Sequence, residues 1–342
     1  MNEILLPIFL VLIASVFQGT FGLGMKYSKP LPWEAWWLVH ATVAMFLIPV
    51  VWAAIVVPDL LGTIGSASSQ TLFSSMLFGF LWGIGGIMFG VSVRYVGVSL
   101  TYGIVMGLAA LMGSLIPLLR VPNVTGDPSF PFVLAGLLVM PIGVAIVAYA
   151  GIRRDKVHAA VGQEISGMQQ GKAFRVGLVI AITCGLLSSL INVGFANAQP
   201  IAQLAEEAGA LTRNSSLAAW VVVLAGAYLM NLLYCIYLLT TKKSWRSFAT
   251  AGSRPAFKWA IIAGLLWFGA LGVYGQGSAL MGSLGPVIGW PMLLGLSLVV
   301  SNFVAVRVGE WKEAAKPLKI MVGGLAVIIL ASCILGYANS MG

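Results

Sequence analysis

From Leu72 to Leu119 the chain reads LFSSMLFGFLWGIGGIMFGVSVRYVGVSLTYGIVMGLAALMGSLIPLL, and Arg94 is its only charged side chain. A helix needs about 20 mostly apolar residues to cross the hydrocarbon core of a bilayer. This stretch therefore supplies two crossings, 72–96 and 98–120, which turn around Arg94 and Gly97. The pattern continues outward in both directions. Eight further windows, 4–24, 34–57, 130–151, 174–197, 216–240, 257–281, 284–307 and 318–338, have similar length and hydropathy. The expected fold is an all-α polytopic membrane protein with ten transmembrane helices. Composition agrees: of 342 residues, 59% are hydrophobic and 8% charged, against roughly 25% charged in soluble domains. So few charges cannot cover a water-facing surface, which excludes a soluble enzyme. The first window has the length of a signal peptide, but Met1-Asn2-Glu3 lacks a basic leader, so it reads as a retained span.

Basic residues set the expected orientation. The odd-numbered connections carry 17 of the 19 Lys and Arg, while the even ones carry only Arg120 and Arg213. By the positive-inside rule the odd connections face the cytoplasm and both termini lie outside, in the periplasm. The net charge of +9 then belongs beside an anionic leaflet of membrane lipid and calls for no nucleic acid partner. The longest connection, 152–173, is polar and divides the chain into a first five-helix repeat, 1–151, and a second, 174–342. Five is odd, so two related halves must be inverted with respect to each other. At an offset of 185 residues, Phe80-Leu81-Trp82 aligns with Leu265-Leu266-Trp267 and Phe89-Gly90 with Tyr274-Gly275. Inverted repeats are a building plan of secondary transporters, with substrate bound near the bilayer midplane.

The chemistry-bearing inventory is sparse. Cys184, Cys235 and Cys333 sit apart in apolar runs, which fits packing residues better than disulfides or a zinc site. No cofactor or metal is expected. Gly-x-Gly stretches such as Gly83-Ile84-Gly85 lie inside spans and lack a P-loop lysine, so direct ATP coupling has no support. Polar side chains at membrane depth are costly and therefore functional candidates. The candidate substrate-binding residues are Gln18, Trp82, Asn192, Asn231, Trp267, Tyr274 and Gln276, although any one amide could simply join two helices. Amides, hydroxyls and indoles with almost no deep fixed charge suit a neutral polyhydroxylated ligand. For proton coupling the candidates are Glu34, in Trp33-Glu34-Ala35-Trp36-Trp37, and His40. Glu34 also reads as an interfacial carboxylate pairing with Lys26 or Lys29.

Several of these residues carry a family resemblance. Trp33-Glu34-x-x-Trp37, the run Phe78–Gly85 continuing to Arg94-Tyr95-x-Gly97-x-Ser99, the stretch from Cys184-Gly185 to Pro200, Asn231 with Cys235, and Glu310-Trp311 resemble the L-rhamnose–proton symporter family of the drug/metabolite transporter superfamily. The resemblance implies an inner-membrane carrier of a bacterium that imports a 6-deoxyhexose together with a proton. Gly86, His40 and Leu31-Pro32 depart from the family pattern, so L-fucose or another monosaccharide stays open as substrate. An exporter or facilitator of another small metabolite on the same scaffold is the alternative. A membrane-embedded enzyme would need paired deep carboxylates or a Ser/His/Asp set, and the sequence offers neither.

Overall fold

The computed structural model describes residues 2–160, 169 and 171–341. Among them there are thirteen α-helices and no strand: α1 (Asn2–Thr20), α2 (Trp33–Thr42), α3 (Ile48–Val56), α4 (Leu60–Gly65), α5 (Ser69–Val96), α6 (Val98–Leu118), α7 (Phe130–Ala160), α8 (Gly171–Asn197), α9 (Gln199–Glu207), α10 (Thr212–Thr241), α11 (Arg254–Leu280), α12 (Gly285–Arg307) and α13 (Ala315–Asn339). Ten segments are long and apolar enough to cross a membrane, and each coincides with one of the ten expected windows. The expected boundaries shift where hydropathy and backbone hydrogen bonding part company. The first span tightens into a 3-10 segment, Phe21–Tyr27. The second is α2 and α3 joined by a π-helical turn, Val43–Leu47, ahead of Pro49. Proline cannot donate the next backbone hydrogen bond, and a π-turn is one way a helix absorbs that gap. The connection expected to be a loop from 152 begins as helix, because α7 runs to Ala160. A charged side chain ends an apolar window without ending a helix, and Arg153–His158 are compatible with one. The rest of that connection, 161–168 and 170, lies outside the described residues.

The chain forms two compact units, one of residues 1–83 and 194–282, the other of 84–193 and 283–342. Each takes spans from both sides of the 152–173 connection, so the units do not coincide with the two halves read from the sequence. In the first unit α11 is the hub. Helices in lipid gain little hydrophobic drive from meeting each other, so they associate where small residues let backbones approach. Gly277 faces the Pro7 carbonyl of α1, Gly264 the His40 carbonyl of α2, and Gly272 the Trp52 ring of α3. In the second unit α7 and α13 are paired in the same way: a Cβ on Gly143 would lie 2.9 Å from the Ile328 backbone nitrogen, and one on Gly324 would lie 2.9 Å from that of Val147.

The α5–α10 crossing in the first unit makes a testable case. Gly79 abuts the Val223 carbonyl, and reciprocally Gly226 abuts that of Met76. Backbone cannot move aside as a flexible side chain can. Gly79→Val should therefore destabilise by about 1–3 kcal/mol, visible as a lower thermal midpoint in detergent. Gly86→Ala, whose Cβ would meet nothing within 4 Å, should leave the midpoint unchanged or raise it. Equal midpoints for wild type and the Gly79 variant would remove the close-approach argument.

Candidate functional site

The segment Trp33–His40 opens α2, and helical spacing stacks its aromatic residues along one side. Trp33 lies on Trp37 with ring centroids 5.4 Å apart, Trp37 is 4.9 Å from His40, and Trp36 stacks on His40 at 5.4 Å. From His40 the row continues edge-on to Trp267 of α11 at 6.4 Å, and from there to Trp82 of α5 at 5.6 Å. Phe21 covers His40 at 6.1 Å. His40 is fully buried, and both ring nitrogens lack a well-formed hydrogen bond. The equivalent tryptophans of the sequence offset thus touch, in a row of rings running through three helices of the first unit.

Asn231 of α10 ties this row to a polar anchor. Trp37 Nε1 donates to Asn231 Oδ1 at 2.8 Å, and Asn231 Nδ2 donates to the Ala227 carbonyl at 2.8 Å. Gly83 of α5 leaves room for it, since a Cβ there would sit 3.3 Å from Asn231 Nδ2. A carboxamide has two donors and two acceptor lone pairs, so Asn231 keeps one N–H and one lone pair beside the indoles.

Glu34 lies one turn before Trp37 on α2 and, like it, meets α10. It is 2% exposed, and among the described residues it is the only buried carboxylate. Lys242 Nζ donates to its Oε2 at 3.0 Å and Ser244 Oγ to its Oε1 at 2.8 Å. Its ion pair is thus with Lys242, not with the expected Lys26 or Lys29. Lys242 follows the last turn of α10, and Glu34 lies in the first turn of α2, where the helix dipole favours a carboxylate.

The other candidates fall in different places. Gln18 lies on α1, and its Oε1 is buried without a hydrogen-bond partner, an acceptor in want of a donor. Tyr274 is fully buried against Phe195 at 5.7 Å and Trp220 at 6.2 Å, about two turns along α11 from Trp267. Beyond it, Gln276 Nε2 donates to Asn214 Oδ1 at 2.9 Å. Asn192 belongs to the second unit, where its Nδ2 donates at 2.8 Å to each of the Gly113 and Pro286 carbonyls and so fastens α6 and α8 to the start of α12. The structure thus groups Trp82, Trp267, Asn231 and His40, with Glu34 on the same helix as His40. Trp37, Lys242 and Ser244 are the members that sequence reasoning passed over. The motif Trp33-Glu34-x-x-Trp37 signalled the first without giving it a role, and nothing local signalled the others.

Residues 1–341 match the family model described as L-rhamnose-proton symport protein (RhaT). The L-rhamnose-proton symporter of Yersinia pestis (strain Pestoides F) is 29% identical over 344 aligned positions, covering 98% of each chain. That of Yersinia pseudotuberculosis serotype O:1b (strain IP 31758) is similar to the same extent, 29% over 98% of each chain. A solved structure described as "Crystal structure of protein" superposes with a TM-score of 0.56 at 15% identity, over 95% of this chain and 96% of that one, a likeness of fold alone.

Proposed function

We propose that this chain, which belongs to the L-rhamnose-proton symport protein family, imports a neutral monosaccharide together with a proton. The family is one of transporters, not enzymes, and its members are multi-pass proteins of the bacterial inner membrane. One observation carries the reading: the single helix α2 presents Trp37, hydrogen-bonded to Asn231 of α10 within a row of aromatic rings, and, one turn before it, the buried carboxylate Glu34. Indole faces suit the C–H face of a sugar ring, and the remaining N–H and lone pair of Asn231 suit a hydroxyl, which both donates and accepts. The names of the relatives support L-rhamnose, a 6-deoxyhexose, and L-fucose is the second substrate to test. The proton acts as coupling ion and no other cofactor is needed. Alternating access follows from two inverted five-helix repeats with both termini periplasmic, an arrangement supported by the ten spans and the placing of the basic residues.

Uptake of labelled L-rhamnose and L-fucose into proteoliposomes, with and without an inward proton gradient, tests this. Gradient-driven accumulation of either sugar is the expected result. Equilibration without accumulation would keep the sugar site and discard the coupling. No uptake of either by folded protein would put the alternative, export or facilitated movement of another metabolite, in its place.

A further inference from the structure

Two of the motifs behind the family resemblance, Ser99 and Glu310-Trp311, meet in the second unit, far from the aromatic row in sequence. They border a cleft of about 280 Å³ between α6, α7 and α12, whose polar lining includes Tyr102, Arg154, Ser301, Asn302, Glu310 and Trp311. The cleft is a built one. Ser99 Oγ donates to Asp155 Oδ2 at 2.7 Å, and Asp155 Oδ1 accepts from Arg154 Nε at 3.1 Å and Nη2 at 2.8 Å. Arg154 so held lies 4.9 Å over the Trp311 ring, with Nη1 3.9 Å from Glu310 Oε2. Trp311 is 5% exposed, and its Nε1 is buried without a hydrogen-bond partner. Across the cleft Asn302 Nδ2 donates to the Leu298 carbonyl at 2.9 Å, which uses one of its two N–H groups.

We propose that this cleft is a second monosaccharide site, serving the face of the protein that carries Arg153, Arg154 and Lys156. The charges around it balance locally, Arg154 against Asp155 and Glu310, so it suits a neutral ligand better than an anion. Ligand pockets for drug-sized molecules span about 300–1,000 Å³, and this cleft lies just under that range, a size for one sugar ring. The free amide edge of Asn302 and the phenol hydroxyl of Tyr102 meet hydroxyls, while the Tyr102 ring and the valines and leucine of the walls meet C–H groups. Arg154 occupies a face of the Trp311 indole, so Trp311 serves as wall and holds Arg154 in place rather than stacking on the sugar. The inference rests on the transport of a monosaccharide proposed above, and it adds a site on the basic face.

Sugar exchange across vesicles of known orientation tests it, with sugar varied on one side and saturating on the other. In Asn302→Ala and Tyr102→Phe the half-saturation for sugar presented to the basic face should rise about tenfold, the loss of one hydrogen bond of about 1.4 kcal/mol, and stay within twofold on the opposite face. Thermal midpoints measured alongside report folding, which Tyr102→Phe, keeping the ring, is chosen to preserve. Unchanged half-saturation on the basic face, or equal rises on both faces, overturns the cleft while leaving transport itself standing. Absence of exchange by the wild-type protein overturns both the transport reading and the cleft.

Discussion

Glu34→Gln should abolish uphill sugar accumulation while sugar exchange continues at close to the wild-type rate. Moving one charge through 100 mV is worth about 2.3 kcal/mol, so a carrier coupling one proton to one sugar sustains roughly 45-fold accumulation on that potential. Glutamine keeps the shape of the side chain and an oxygen to accept from Ser244 Oγ, whose donor bond is 2.8 Å. It cannot take up and release a proton. The Lys242 ammonium is 54% exposed and loses only a partner, so water replaces the carboxylate at small cost. The variant therefore equilibrates sugar without concentrating it, which accumulation and exchange assays on the same vesicles separate. Undiminished accumulation removes Glu34 from the coupling and leaves His40 as the remaining candidate. Loss of exchange as well, in folded protein, assigns the Glu34–Lys242–Ser244 contacts to holding α2 against the end of α10.

What the sequence discloses about this molecule follows the range of the forces involved. Transmembrane helices are specified by the local free energy of burying apolar side chains, so ten windows of hydropathy sufficed to find ten spans. Their ends depend on backbone hydrogen bonds, and α7 accordingly runs nine residues past its apolar window to Ala160. The π-turn at Val43–Leu47 is equally silent in a hydropathy profile. The nearness of Trp82 and Trp267 was legible, since they align at the 185-residue offset and their rings meet at 5.6 Å. Pairings that set chemistry were not. Glu34 finds Lys242 across 208 residues and Trp37 finds Asn231 across 194, distances over which no periodicity in a single chain carries information. Asn192 shows the converse: an amide at the right depth by sequence spends its donors on two backbone carbonyls, one of which, Gly113, lacks its helical donor because Pro117 has no N–H.

Asn231→Ala and Trp37→Phe should each raise the half-saturation for sugar by about 10- to 100-fold, and the double variant should be little worse than either alone. The expectation rests on the geometry of one amide. Its Oδ1 accepts from Trp37 at 2.8 Å and its Nδ2 donates to Ala227 at 2.8 Å, and these two bonds fix which way the remaining N–H and lone pair point. Removing Trp37 Nε1 frees the carboxamide to rotate, and removing the carboxamide leaves the indole N–H unpaired, so each change disables the same contact to a hydroxyl. Groups acting as one unit give non-additive effects, which a double-mutant cycle measures. A purely interhelical bond between α2 and α10 behaves differently. Such bonds average about 0.6 kcal/mol in membrane proteins, which would lower the thermal midpoint slightly and leave half-saturation almost untouched. Exchange kinetics and thermal midpoints on the four proteins of the cycle therefore divide the two roles. Additive effects on half-saturation would mean that Trp37 and Asn231 reach the sugar independently, and midpoint shifts alone would return the pair to packing and move the sugar to other residues of the aromatic row.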